Sequence, residues 1–449
     1  MNDHQPQDHD RTLAILGAGP AGLYAARAAA ASGRFTGIDV IEALPAPYGL
    51  VRYGVAPDHP ETKRVTKVFD RVFDSGHVRF LGNVTVGRDI THSALMGHYD
   101  AVVYATGVSG DRRLSVPGAD LPGSVSSADF VSWYSGHPDA KLCPPLSSVR
   151  KAVVVGGGNV ALDVARLLVS PHEVLRATDM PDDVLDAFLA AEVREVHVVV
   201  RKGPGETRYS PVVLREFAEL PDVALKVDRR DVEAAETTAG ISRASQDNLE
   251  MFRSWCDRRD GVSVRSVQFH FWTNPTQIIG KSEVQGVHAF ANPPGWAAQE
   301  LKIPADLVVH CVGFSATGPD WLPISTTPGG LESLQGRVRS SDGKQMPGVY
   351  VTGWLKRGPS GTIATNRTDA EETVACLLED LEGLRRRAQR KDVLDVLTAA
   401  GIAVVSWSGW RAIQDDERAA GQRRGAVTAK LSNRDLMVAA AHSGPAEWP

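Results

Sequence analysis

Cysteine is scarce in this chain: four occur in 449 residues, Cys143, Cys256, Cys311 and Cys376, and no two form a CxxC pair. That spacing excludes the local dithiol of a disulfide reductase. It also excludes a local cysteine cluster able to carry an iron-sulfur centre of the chain's own. The four read instead as small apolar side chains of the interior, and no residue is assigned to a metal. Long apolar runs are missing as well, since every such stretch is strand-sized or interrupted by charge, so no membrane span is expected. Residues Met1 to Thr12 are polar and lack both the apolar core of a secretory signal and the arginine-rich pattern of a transit peptide. The expectation is a cytoplasmic protein. An excess of one charge is absent too: 49 Lys and Arg face 54 Asp and Glu, a net charge of -5, which gives no global case for a nucleic-acid partner.

What is present is the composition of a globular protein, 43% hydrophobic and 23% charged, in a chain too long for one ordinary core. Two glycine-rich turns organise it. The first, Gly17-Ala18-Gly19-Pro20-Ala21-Gly22, follows an apolar strand, Leu13 to Leu16, and opens an alanine-rich helix, Leu23 to Ala31. A second strand, Ile38 to Ile41, ends at Glu42. In such a βαβ unit Gly17 permits the tight turn, Gly19 lets the backbone approach a pyrophosphate at the helix N-terminus, and Gly22 allows helix and strand to pack closely. A carboxylate at Glu42 accepts hydrogen bonds from ribose hydroxyls but repels a 2'-phosphate, so this unit suits FAD or NAD.

The second turn, Gly156-Gly157-Gly158-Asn159-Val160-Ala161, follows the strand Ala152 to Val155 and opens a helix near Asn159. The next strand, Val196 to Val200, ends in Arg201-Lys202. Two cations in place of a carboxylate suit a 2'-phosphate, with charge-assisted contacts of roughly 1.5 to 3 kcal/mol each. This unit therefore reads as a site for NADPH or NADP+.

Two further strands, Ala101 to Tyr104 and Leu307 to Val312, run into small-residue turns at Gly107 and Gly313. Paired crossings of this kind place the second unit as an insertion in the first, with 1–108 and 318–449 forming one domain and 109–317 the other. Val349 to Trp354 reads as another buried strand, and Ala370 to Gln389 as a helix with Val374, Leu377, Leu378 and Leu381 at helical spacing. The charged stretch Asp228 to Arg265 reads as a solvated helical face. The tail to Pro449 gives short helical signals and is assigned no chemistry.

The segment Tyr48-Gly49-Leu50-Val51-Arg52-Tyr53-Gly54-Val55-Ala56-Pro57-Asp58-His59-Pro60 resembles that of the adrenodoxin reductase-like ferredoxin-NADP+ reductases. The resemblance extends through Gly82 to Gly87, Asn159 to Arg166, Gly203-Pro204, Leu214-Arg215-Glu216 and Gly353 to Pro359. It implies an α/β fold of two Rossmann-like three-layer nucleotide-binding domains, the NADP domain inserted within the FAD domain, with glutathione reductase-like topology. It also implies that FAD is held by Ala21, Glu42, Leu50, Val86, Trp354 and the turn Gly361-Thr362-Ile363. NADP is held by Gly157, Gly158, Asn159, Val160, Arg201, Lys202 and Gly361. Two positions depart from the family pattern: Lys202 stands where a second arginine is usual, keeping the charge without the planar fork, and Val213 stands where a glutamate is usual. Arg208 is a nearby cation able to compensate.

The implied activity is that of a ferredoxin-NADP+ reductase, a flavoprotein that takes hydride from NADPH and passes electrons singly to a ferredoxin-type iron-sulfur protein, which in this family often feeds a haem monooxygenase. Alternatives are a two-electron flavoenzyme reducing a small molecule and a non-catalytic nucleotide-binding protein. His59, Asp163 and Glu216 are the implied catalytic residues near flavin and nicotinamide. Read alone, His59 is a loop histidine able to exchange a proton near neutral pH, Asp163 a favourable charge near a helix N-terminus, and Glu216 a surface charge. Arg52, Lys356 and Arg357 are the candidate cations for docking an acidic partner.

Overall fold

The structure, a computed structural model, describes residues 11–74, 76–108, 110–141, 144–236, 242–256, 263–315, 326–327, 330–385 and 391–444. Cys143, the expected return near residue 318 and the end of the expected helix at Gln389 lie outside the described residues.

The first glycine turn sits in a βαβ unit: β1 (Thr12–Leu16), α1 (Pro20–Ala31) and β2 (Gly37–Ile41). Pro20 at the first helical position has a φ already suited to the helix and no N–H to leave unsatisfied. After a short helix α2 (Leu50–Tyr53) come β3 (Val78–Leu81) and β4 (Ala101–Tyr104). β1 pairs in parallel with β2 and with β4, Leu13 lying opposite both Ile38 and Ala101. Both faces of these strands are covered, which is why they read as apolar runs rather than alternating patterns.

The chain then builds a second parallel sheet from β5 (Ser124–Ser126), β6 (Lys151–Val155), β7 (Glu195–Val199), β8 (Val223–Val227) and β9 (Arg265–His270). The helices α3 (Asn159–Val169), α4 (Pro211–Ala218) and α5 (Arg243–Cys256) belong to this unit. A three-stranded antiparallel sheet follows, β10 (Thr273–Gly280), β11 (Val284–Ala291) and β12 (Gln299–Pro304), before β13 (Leu307–His310) returns to the parallel sheet. Its strand order is β5-β13-β6-β7-β9-β8.

The chain rejoins the first sheet through β14 (Ser333–Leu334), β15 (Arg337–Arg339) and β16 (Gln345–Val351), giving the order β14-β15-β16-β4-β1-β2-β3. The second sheet's strands thus fall between β4 and β14, the nested arrangement expected. Gly110–Asp111 pairs antiparallel with Phe314–Ser315, so the outgoing and returning segments run side by side. Among the described residues no helix is long and apolar enough to cross a membrane.

Three expectations need correction. The helix placed at Ala370 begins earlier, as α6 (Ile363–Asp380), because Thr362 and Thr365 form a capping box at its start, and it gives way to a single 3-10 turn, Leu381–Gly383. The charged stretch from Asp228 is more than a solvated face: Leu249, Phe252 and Trp255 of α5 are buried, with Phe252 and Trp255 packed on Phe269. The tail is structural, containing α7 (Trp407–Arg423) and α8 (Arg434–Ala441). It is anchored by the bridge between Gly82 and Val405 and by the fully buried Trp410.

The strongest anchor is ionic. Arg52 donates from Nη1 to Glu417 Oε2 at 3.0 Å and from Nη2 to Glu417 Oε1 at 2.5 Å, with both side chains buried. Removing one charge strands the other in a low-dielectric site, at a cost of about 3–5 kcal/mol. Glu417→Gln is therefore expected to lower stability by that order, checked by urea denaturation of the flavin-loaded protein; a change below about 1 kcal/mol would place the pair among the weak surface type.

Candidate active site

Around the first glycine turn, several segments converge on the N-terminus of α1. A Cβ on Gly22 would lie 1.9 Å from Gly17 O, and one on Gly17 would lie 2.6 Å from Ala105 O, so both positions are closed to larger residues. Gly19 is different: its nearest neighbour would be Gly49 Cα at 3.9 Å, which leaves its outer face open. A Cβ on Gly353 would come within 2.6 Å of Ala21 Cβ. This brings Gly19 and Ala21 together with Gly49-Leu50 and Gly353-Trp354. α1 has no side-chain cap, so N–H groups of its first turn remain available to an anion.

Glu42 accepts from Ala18 N at 2.7 Å and from Leu44 N at 3.1 Å. Burial raises its pKa, against the lowering effect of those backbone bonds. Leu50 is exposed at the start of α2, Val86 is buried, and Trp354 leans on Phe314 with ring centres 5.6 Å apart. Near the Gly361-Thr362-Ile363 turn, Arg357 bonds Asn366 Oδ1 through Nη2 at 2.7 Å, whereas its Nε and Nη1 are buried without a hydrogen bond. A tight glycine cradle, an open helix N-terminus, the half-buried Glu42 carboxylate and unsatisfied guanidinium donors fit FAD.

The second cradle repeats the plan. A Cβ on Gly156 would meet Cys311 O at 2.4 Å, while Gly158 faces open space. α3 also starts without a side-chain cap. Asn159 Oδ1 accepts from Ser210 N at 2.8 Å, and Arg208 N donates to Gly157 O at 2.9 Å, tying the turn to the segment before α4. Val160 is half-buried in the helix's first turn. Arg201 and Lys202 are both exposed beyond β7. Lys202 Nζ is 3.9 Å from Glu206 Oε1, but Glu206 uses its other oxygen to accept from Gly203 N at 3.1 Å. Two solvent-facing cations beside an uncapped helix fit a nucleotide bearing a 2'-phosphate. Arg208 is exposed near them, and Val213 packs half-buried against the second unit's core.

Between the cradles lies a polar cluster that draws on both units. His59 Nε2 is 2.7 Å from Glu216 Oε2 and 3.9 Å from Asp163 Oδ1. Arg166 donates to both oxygens of Asp58, at 2.7 and 2.8 Å, and lies 3.0 Å from Asp163 Oδ1 and 3.2 Å from Glu216 Oε2. Asp58 and His59 come from the segment that carries Gly49-Leu50; Asp163 and Arg166 lie on α3, directly after the second glycine turn.

Burial would lower the His59 pKa, but the Glu216 hydrogen bond and the carboxylates of Asp163 and Asp58 prevail, and it rises above the ordinary 6.5. Asp163 is raised by burial despite Arg166 and His59. Asp58 is lowered, because Arg166 outweighs its desolvation. Asp163 Oδ1 and Arg166 Nη1 are buried without a hydrogen bond of acceptable geometry. Both atoms nevertheless lie within ion-pair distance of an opposite charge, Asp163 Oδ1 of Arg166 at 3.0 Å and Arg166 Nη1 of Glu216 at 3.2 Å.

The chain was compared with known proteins. The family described as pyridine nucleotide-disulphide oxidoreductase matches residues 11–201. NADPH-ferredoxin reductase FprA of Mycobacterium tuberculosis is 36% identical, over 94% of this chain and 97% of its own length. The chain belongs to the NADPH-ferredoxin reductase family. The mitochondrial NADPH:adrenodoxin oxidoreductase of Arabidopsis thaliana is 34% identical, over 96% of this chain and 95% of its own. The solved structure of Mycobacterium tuberculosis FprA in complex with NADPH superposes with a TM-score of 0.88 at 35% identity, covering 96% of this chain and 99% of that one. The resemblance stated from the motifs is thereby upheld, as is the fold class.

In this family member Cys256, Cys311 and Cys376 are free thiols, with Cys256 and Cys311 only half-buried. The structure brings His59, Asp163 and Glu216 into one cluster, as expected. Two further members, Asp58 and Arg166, have no role assigned by the motifs that contain them; the signal in the sequence is an arginine one helical turn after Asp163. The docking cations need correction. Arg52 is buried against Glu417, Lys356 Nζ is 2.9 Å from Asp369 and 2.6 Å from Glu372, and Arg357 is half-buried beside Asn366 and Asp369. None of the three offers a free charge to a partner.

Because the folded pKa of His59 lies above its ordinary value, its imidazolium adds stability fully below pH 6.5, and that contribution is lost as pH rises through the raised value. Glu216→Gln removes the main upward influence. An NMR titration of the His59 ring is expected to move to lower pH in the variant, with the stability change above pH 6.5 flattened; an unmoved midpoint would discount the pair.

Proposed function

We propose that the chain is a FAD-dependent NADPH-ferredoxin oxidoreductase, taking reducing equivalents from NADPH and delivering electrons to a small ferredoxin-type iron-sulfur protein in the cytoplasm. The observation that carries this reading is the cluster of Asp58, His59, Asp163, Arg166 and Glu216, which joins a cradle with an acidic ribose reader to a cradle with a basic one. We take 1–108 with 318–449 as the FAD domain and 109–317 as the NADP domain.

Bound FAD supplies the conversion between a two-electron donor and a one-electron acceptor. The chain supplies placement. Gly17, Gly19, Pro20, Ala21 and Gly22 shape the first pyrophosphate site, Glu42 reads the ribose, and Leu50, Val86, Trp354 and the turn Gly361-Thr362-Ile363 complete that binding site. Gly157, Gly158, Asn159 and Val160 form the second pyrophosphate site, Arg201 and Lys202 read the 2'-phosphate, and Gly361 borders the nucleotide. His59 holds a proton at Nε2 against Glu216, while Arg166 keeps the neighbouring carboxylates of Asp58 and Asp163 in register. With Arg52, Lys356 and Arg357 internally paired, the exposed Arg208, next to the second glycine turn, and Arg215, next to Glu216 in the chain, are the candidate docking cations.

The test is anaerobic bleaching of the flavin by NADPH and by NADH in matched experiments. Faster bleaching by NADPH is expected. Arg201→Ala should cut the preference for NADPH by about tenfold or more, the equivalent of one charge-assisted phosphate contact. Flavin that neither donor bleaches would leave the chain a nucleotide-binding protein without this activity.

Delivery to the partner should also weaken with salt, since steering charges act over about 10 Å at 0.1 M ionic strength. Ferredoxin reduction measured across a salt series checks this. A rate indifferent to salt, or equally fast turnover with a small-molecule acceptor and no ferredoxin, would count against a protein acceptor.

A further inference from the structure

The link between α7 and α8 carries a buried ammonium at the place where the two units meet. Lys430 is 6% exposed. Its Nζ donates to Arg52 O at 2.8 Å and to Ser135 O at 3.2 Å, and lies 3.3 Å from Asp179 Oδ2. The three oxygens come from three separate segments. Arg52 O belongs to α2, directly after Gly49-Leu50; Ser135 O ends the helix Ser127–Tyr134 of the inserted unit; and Asp179 precedes the helix Asp182–Leu189 of that unit.

The surroundings hold this ammonium in place. Lys63 Nζ shares Asp179 Oδ2 at 2.7 Å, and the Arg52 guanidinium is held by Glu417 and lies 5.0 Å from the Trp410 ring centre. Arg418 is the other charge lining the small cavity beside these groups. Farther along, Arg424 reaches Thr178 O, Met180 O and Asp182 Oδ1, each at 2.7 Å. The C-terminal segment is thus bonded to both units.

Stability gives little reason for a lysine here. Desolvation pushes the Lys430 pKa down against the pull of Asp179, so the charged form is costly here, and Asp179 keeps Lys63 as a partner when Lys430 is removed. What the side chain provides is direction: Nζ donates two hydrogen bonds to backbone carbonyls and sits 3.3 Å from a carboxylate, and the three oxygens lie on three separate segments. Misplacement by about 1 Å is enough to cost on the order of a hundredfold in a positioned reaction.

We propose that Lys430 is a positioning residue, setting the orientation of the inserted nucleotide unit against the Gly49–Tyr53 segment so that the two cradles face one another correctly. The proposal rests on the reading that NADPH reduces flavin in this chain. Lys430 touches neither cradle and acts only through Arg52, Ser135 and Asp179.

The experiment compares the flavin-loaded wild type with Lys430→Met, Lys430→Ala and Asp179→Asn. In Lys430→Met, NADPH affinity measured at equilibrium is expected to stay within about threefold, while bleaching at saturating NADPH slows by roughly ten- to a hundredfold. Amide hydrogen exchange is expected to quicken in residues 49–55 and 178–182 and to hold elsewhere. Ethylammonium should restore bleaching in Lys430→Ala, where there is room for it, and not in Lys430→Met. Asp179→Asn, which leaves both backbone bonds of Lys430 but weakens the ion pairs of Lys430 and Lys63 together, is compared with Lys63→Met to separate the two, and serves if the lysine variants do not fold.

Unchanged bleaching and exchange in a folded Lys430→Met would overturn the proposal, as would a loss confined to NADPH affinity. If the wild type itself is not bleached, the functional reading fails, and the exchange comparison still decides whether Lys430 holds the units in register.

Discussion

Arg166 is the tie on which the arrangement of the site depends. It is almost wholly buried, and its guanidinium binds Asp58 of the first unit through two parallel hydrogen bonds while lying against Asp163 and Glu216 of the second. A planar fork can satisfy that geometry; a point charge cannot. Three carboxylates crowd around it, and the Glu216 hydrogen bond, with the charges of Asp163 and Asp58, raises the His59 pKa against the opposing charge of Arg166. Arg166 thus ties α3 to Asp58 and holds the carboxylates that His59 faces.

Interfaces between domains of a chain are ordinarily modest and mobile. Here charged side chains cross the junction, and several are shielded from water: Arg166 with Asp58, Lys63 and Lys430 with Asp179, and the tail's Arg424 with the carbonyls of Thr178 and Met180. Hydrogen-bonded pairs of this kind are directional, unlike apolar packing, so they specify an angle as well as a contact. The C-terminal helices pack on the first unit beside this junction, with Tyr48 edge-on against Trp410 at 5.7 Å between ring centres.

Both cradles use glycine for steric reasons that differ by position. Gly17, with φ near +103°, and Gly22 are needed because neighbouring backbone leaves no room for a side chain, whereas Gly19 and Gly158 leave space above a helix N-terminus. The same backbone plan ends in different charge: Glu42 closes one unit, and Arg201-Lys202 follow the strand of the other.

The sequence by itself determined the local units, the nesting of one in the other and the sign of the charge that ends each βαβ unit, because these depend on short-range spacing: a strand, a glycine turn, a helix and one residue at the end of the next strand. Motifs also named His59, Asp163 and Glu216. It left open whether they meet, since 157 positions separate His59 from Glu216, and proximity across that span is a property of packed sheets rather than of spacing. Only the tertiary structure decided that Arg52 is an internal partner of Glu417 rather than a docking charge, that Arg166 organises the cluster, and that the tail belongs to the junction. A charged side chain looks the same in sequence whether water or a carboxylate surrounds it; which one does is decided by burial.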